Sequence, residues 1–163
     1  CRGEPGRHRG GTCGLRVRHL IHHPATGVKP ARAGYRAVME QHCDLPADPQ
    51  AAGQARRLVR EVLERADATQ VLDDAMLVVS ELATNAVRYG KDPISASVTV
   101  DDQTLVIAVR DGRASDLPYP KVLTQTEPDG RGMHLVAAMS ARWGWDRNGD
   151  SKVVWAELPL HRD

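Results

Sequence analysis

Glu81, Asn85 and Arg88 stand four and three residues apart in the stretch Val79-Ser80-Glu81-Leu82-Ala83-Thr84-Asn85-Ala86-Val87-Arg88-Tyr89-Gly90. On a helix that spacing puts a carboxylate, an amide oxygen and a guanidinium on one face, along nearly two turns. A carboxylate can orient or deprotonate a hydroxyl or a water. An amide oxygen is a hard ligand of the kind Mg²⁺ accepts beside phosphate oxygens. A guanidinium offsets phosphate charge. Taken alone, such a face is more often the solvated side of an amphipathic helix. Two further positions bear on the choice. Asp111 follows, after Arg110, the apolar run Leu105-Val106-Ile107-Ala108-Val109 and precedes Gly112. A carboxylate fixed at a strand end accepts hydrogen bonds from an exocyclic amine, although an aspartate there is more often a turn-former. Gly130-Arg131-Gly132 precedes another apolar-periodic segment. Glycines let backbone approach an anion, and a helix start offers unpaired N–H groups with partial positive charge. A tight loop-to-helix turn explains that triplet equally well.

The elements that must position these groups follow from hydrophobic periodicity. Leu72, Ala75, Met76, Val79, Leu82, Ala83 and Ala86 recur at helical spacing, so a helix is expected from about Val71 to Tyr89. Gly90 then stands where a left-handed cap residue belongs. Asp48-Pro49 opens an earlier helix, with an acceptor before a proline at the first helical position. Its buried stripe is Ala51, Ala52, Ala55, Leu58, Val59, Val62 and Leu63, and it ends near Ala66-Asp67. Arg36 to Cys43 reads as a first strand. Ile94, Ala96, Val98 and Val100 alternate with polar residues as a half-buried strand, and Leu105–Val109 is apolar on both faces and therefore central. Residues 112–129, with Pro118, Pro120 and Pro128, lack periodicity and read as a long loop, the kind that serves as a functional lid. A third helix is expected from Met133 to about Ala141. Strands at Trp143-Gly144-Trp145 and Val153–Leu158 close the sheet. The order β, α, α, β, β, loop, α, β, β predicts an α+β fold, a two-layer sandwich whose mixed or antiparallel sheet is covered on one face by about three helices.

The 163 residues make one domain, or a domain plus a tail. No run of apolar residues is long enough for a membrane span. The net charge of +1 hides an asymmetry. Residues 1–34 hold seven basic residues and one acid, leaving 15 of the 22 basic and 20 of the 21 acidic residues for 35–163. An acidic domain argues against direct nucleic-acid binding, which leaves a basic patch. Residues 1–34 also carry half of the glycines and are expected to be a disordered basic leader, with 35–163 as the domain. Cys1, His8, Cys13, His19, His22 and His23 lack the spacing of a metal site. Three cysteines, two of them in the leader, make no disulfide framework, which points to a reducing, cytoplasmic compartment.

Glu81/Asn85, Asp111 and Gly130-Arg131-Gly132 resemble, in order, the three nucleotide-binding boxes of the Bergerat-fold (histidine-kinase-like) ATPases. The resemblance is nearest to the anti-sigma-factor serine/threonine kinase branch. It rests on Ser80–Arg88, on Gly130–Val136 followed by Arg142-Trp143-Gly144, and on Val154–Leu158, and covers about residues 36–160. It implies ATP and Mg²⁺ as cofactors, Glu81 as general base and Asn85 as the magnesium ligand. Asp111 would read the adenine amine, and Gly130 and Gly132 would bring backbone amides to the phosphates. Gly112, Arg131, Met133 and His134 complete the nucleotide-contacting set, and residues 112–129 become the ATP lid. Arg88 is either a phosphate contact or a surface residue. The implied partners are a small antagonist protein, phosphorylated on serine, and a sigma factor that the domain sequesters; members of the branch commonly pair as homodimers. The alternative is a nucleotide-binding regulatory module without kinase turnover. Two departures favour that alternative. Arg113 stands where the family commonly has glycine, and Val153 is expected at the place of a threonine beside the aspartate, a loss of about 1 kcal/mol for one hydrogen bond.

Overall fold

The computed structural model describes residues 13–19, 37–115 and 131–161. They form a six-stranded, wholly antiparallel sheet with three helices. The strands are β1 (Cys13–His19), β2 (Ala37–Leu45), β3 (Ile94–Val100), β4 (Thr104–Asp111), β5 (Arg142–Asn148) and β6 (Ser151–Pro159). The helices are α1 (Gln50–Arg65), α2 (Leu72–Tyr89) and α3 (Arg131–Met139). Strand order is β1-β2-β3-β4-β6-β5, which makes β4 an inner strand as its two apolar faces predict. The α+β two-layer architecture is the expected one.

Both ends of α1 follow from local chemistry. The Asp48 carboxylate accepts a hydrogen bond from the Gln50 backbone N–H at 2.7 Å, and its carbonyl accepts from Ala51 N–H at 3.1 Å. At the exit, Asp67 takes a left-handed conformation (φ 51°), and Ala68 N–H reaches back to the Leu63 carbonyl at 2.9 Å. That is a Schellman ending built on aspartate instead of glycine. A short 3-10 turn at Thr69–Val71 leads into α2, whose first turn carries Asp73 and Asp74 and whose last carries Arg88, both favourable to the helix dipole.

Register decides which strand residues meet the helices. Leu105, Ile107 and Val109 of β4 stand opposite Leu158, Ala156 and Val154 of β6, and Val98 of β3 stands opposite Ile107. These residues are buried against Val59, Val62 and Leu63 of α1 and Val78, Val79 and Leu82 of α2, in one continuous core. Asp111 and Lys152 are the next pair along the same inward-facing rows. The apolar rows therefore end in a carboxylate facing an ammonium.

Three expectations need correction. Residues 1–34 are not wholly without regular structure: Cys13–His19 pairs antiparallel with β2, Cys13 opposite Cys43 and His19 opposite Ala37. Leu15 and Val17 alternate with Arg16 and Arg18 there, a strand pattern within a Gly- and Arg-rich composition. The rest of that segment lies outside the described residues. Gly90 is not left-handed; its φ is −91° and ψ −162°. A methyl group on Gly90 would meet the Ala86 carbonyl oxygen and lie 2.6 Å from Asp111 Cγ, so what the position requires is close approach of two elements. Val153, finally, does not stand beside Asp111. It lies opposite Arg110, and Lys152 faces Asp111.

Candidate nucleotide site

Helix α2 carries the candidates Glu81, Asn85 and Arg88, and two contacts to other elements involve it, one near its middle and one at its end. Glu81 is half-buried, and its side chain packs against Gly132 in the first turn of α3. A Cβ on Gly132 would fall on Glu81 Oε2 and lie 3.1 Å from Cδ, so glycine admits the carboxylate to this helix start. Nine residues later, Gly90 abuts Asp111. At 1.5 Å per residue the two contacts are separated by about 14 Å along α2. Asn85, half-buried, lies between them, one turn beyond Glu81 on the same face. Glu81 and Asn85 thus share one face of α2, with Gly132 packed on Glu81, while Asp111 meets the Gly90 end of the helix.

The Asp111 end is fully built. The Asp111 side chain is 2% exposed and that of Lys152 6%. Lys152 Nζ lies 3.2 Å from Asp111 Oδ1 and 3.1 Å from Oδ2, and donates to the Arg113 carbonyl at 3.0 Å. Arg113 N–H donates to Asp111 Oδ1 at 2.9 Å. Arg113, expected only as a missing glycine, therefore helps fix the aspartate through its backbone. Sequence reasoning missed Lys152, although the signal was available: Val154, Ala156 and Leu158 point inward, and strand alternation puts Lys152, not Val153, in the same row.

The remaining candidates divide. Gly112 donates its N–H to the Lys91 carbonyl at 2.5 Å and packs on Asp92, so its backbone closes the turn after α2. Met133 is 5% exposed and belongs to the hydrophobic core; any ligand contact from it is through its backbone. His134 is half-buried on α3, and Arg88 is exposed in the last turn of α2. Arg131 begins α3, its side chain outside the described residues. Gly130 and the lid from residue 116 also lie outside them. On β5, Arg142 donates to Glu157 at 2.5 Å, and that hydrogen bond, with the carboxylate's charge, raises the guanidinium pKa above its ordinary value.

Two surface clefts are present among the described residues. One of about 260 Å³ lies beyond the β4 end, between Lys91, Asp92, Arg110, Gly112, Asn148 and Asp150, and so is lined by both sequence neighbours of Asp111. Another of about 310 Å³ lies at the opposite end of the sheet, near Met39, Asp67, Asp101 and Leu160. Neither is lined by Glu81, Asn85 or Gly132, and the first includes Gly112. Among the described residues no group of three or more His, Cys, Asp or Glu side chains is arranged to hold a metal. A magnesium ion that arrives on phosphates needs only one or two protein oxygens, which the Asn85 amide fits. No helix among the described residues is long and apolar enough to cross a membrane.

A search of curated proteins finds no match to the chain. The family model of the histidine kinase-like ATPase domain matches residues 45–158, most of the chain and every described element from α1 to β6. The chain therefore belongs to the histidine kinase-like ATPase domain family, whose domains bind ATP.

Proposed function

We propose that this ATP-binding domain is a protein serine/threonine kinase of the anti-sigma type, acting on a serine of a small antagonist protein and sequestering a sigma factor. The observation that carries the reading is the seating of the Glu81 carboxylate against Gly132 at the start of α3. A general base is thereby held beside a helix start, where backbone N–H groups favour phosphate. On this reading Glu81 accepts the proton of the serine hydroxyl, and the backbone at Arg131 and Gly132 binds phosphate oxygens. Asp111 accepts a hydrogen bond from the exocyclic amine of adenine at the far end of α2. Asn85 supplies a side-chain oxygen to Mg²⁺, which when bound neutralises phosphate charge. Phosphoryl transfer needs chiefly positioning and charge stabilisation, and these groups supply both.

The test is transfer of labelled phosphate from ATP to the antagonist protein in the presence of Mg²⁺, with Glu81→Gln beside the wild type. Loss of labelling in the variant, with nucleotide binding retained, supports the reading; equal labelling removes Glu81 from its role. A second reading, a regulatory module that binds nucleotide without turnover, is favoured by one feature. The Glu81 carboxylate itself occupies space at the α3 start, where an anion would bind. On that reading partner binding survives both Glu81→Gln and Asn85→Ala, and no phosphate is transferred by the wild type.

A further inference from the structure

We propose that Lys152 is a positioning residue for base recognition: it holds the Asp111 carboxylate where a base amine can reach it, and so sets the preference for a base that carries an exocyclic amine. The inference rests on the nucleotide reading of the site given above. It begins from hydrogen-bond capacity. An ammonium has three N–H donors, and Lys152 Nζ faces three acceptors: Asp111 Oδ1 at 3.2 Å, Asp111 Oδ2 at 3.1 Å and the Arg113 carbonyl at 3.0 Å. Two hydrogen bonds, to Oδ1 and to the Arg113 carbonyl, and the ion-pair contact with Oδ2 tie down its buried ammonium, so Lys152 acts on a ligand through Asp111.

The carboxylate has the complementary count. Oδ1 accepts from Arg113 N–H at 2.9 Å and from Lys152 at 3.2 Å, while Oδ2 has only the ion-pair contact with Lys152 at 3.1 Å. Each carboxylate oxygen has two acceptor positions, so Oδ2 keeps room for a further donor. That vacancy suits a single neutral N–H. Bonds from β6 and from the residue after β4's turn hold the group, and α2 packs on it at Gly90. The ammonium also cancels the carboxylate's charge, so the buried base end carries no net charge from this pair. A base with a carbonyl in place of the amine would set an acceptor against an acceptor and be rejected.

The competing account is that Lys152 is only a strap tying β6 to β4 and to Arg113. Calorimetry with ATP and with inosine triphosphate, whose base has a carbonyl in place of the amine, separates the two. The full chain is titrated as wild type, Lys152→Met, Lys152→Gln, Asp111→Asn and Asp111→Asn/Lys152→Met. Lys152→Gln keeps a donor and most of the stem length, and serves if Lys152→Met does not fold. The wild type should bind ATP about tenfold or more tighter than inosine triphosphate, the scale of one buried hydrogen bond made or refused. Lys152→Met and Lys152→Gln should shrink that ratio, chiefly by weakening ATP. In the Asp111→Asn background the same lysine change should leave the ratio unaltered. Equal weakening of both nucleotides, or tighter ATP binding, in the lysine variants overturns the inference while leaving the nucleotide site standing. A wild type that binds neither nucleotide overturns the site reading itself, and the inference with it.

Discussion

The Glu81 carboxylate occupies the space that a side chain at Gly132 would need. The obstructing atom is the free end of a flexible side chain, so Gly132→Ala should be accommodated by rotation of Glu81 away from α3. Alanine is favoured over glycine in a helix by up to about 1 kcal/mol, which offsets the disturbance. On the kinase reading, the variant should therefore keep its thermal midpoint and lose turnover by about a hundredfold, the lower range for a displaced general base. Circular dichroism melting and phosphate transfer on the same sample decide it. Unchanged transfer would show that the Glu81 position at α3 is immaterial to chemistry.

Gly90→Ala should behave in the opposite way. Its φ of −91° is open to alanine, so the backbone is not the obstacle. The new methyl group would meet the Ala86 carbonyl and lie 2.6 Å from Asp111 Cγ and 2.8 Å from Asp111 Cβ. Neither neighbour is a free side-chain end: one is helix backbone and the other a buried, bonded aspartate. Overpacking of this kind costs about 1–3 kcal/mol. Urea denaturation should show that loss, together with weaker ATP binding as Asp111 is pushed aside. A variant as stable as the wild type would mean that α2 and β4 can separate at little cost.

What the sequence made legible, and what it did not, divides on physical grounds. α1, α2, β3 and β4 could be placed because their apolar periodicity is strong and their boundaries carry chemistry such as Asp48 before Pro49. The grouping of Glu81 with Asn85 followed from helix geometry alone. β1 was obscured because Leu15 and Val17 sit in a composition that reads as unstructured. Gly90 was misread because a glycine after a helix has two explanations, backbone freedom and close approach, and only the neighbour across the gap distinguishes them. The Val153 assignment failed by one residue, and in a strand a shift of one exchanges the faces of the sheet. The inward row of β6 ends on Lys152, which turned a presumed loss of polarity beside Asp111 into a buried ion pair.

That ion pair should show strong coupling in stability. Asp111→Asn leaves a buried ammonium with no charged partner, and Lys152→Met leaves a buried carboxylate in the same position. Breaking a buried pair from one side costs about 3–5 kcal/mol, whereas replacing both charges is often neutral. Each single variant should unfold at clearly lower urea, and Asp111→Asn/Lys152→Met should recover most of the difference. Additive losses would mean that the two side chains contribute independently despite their 3.1 Å separation.

Asn85 leads to a prediction about the metal. It lies on the same face as Glu81 and one turn closer to Gly90 along α2. Asn85 brings a neutral oxygen, and no cluster of three acidic, His or Cys ligands accompanies it among the described residues. A neutral amide cannot strip water from Mg²⁺ by itself, since this ion dehydrates reluctantly and keeps its waters unless phosphates replace them. Magnesium chloride alone should therefore give no binding heat with the protein. ADP should bind more tightly with Mg²⁺ than with a chelator present. In Asn85→Ala that difference should collapse, while binding in the presence of chelator stays as in the wild type, because Asp111 and the backbone at Gly132 do not depend on the amide. A variant that retains the full magnesium effect would place the ion's protein ligand elsewhere on α2 or α3.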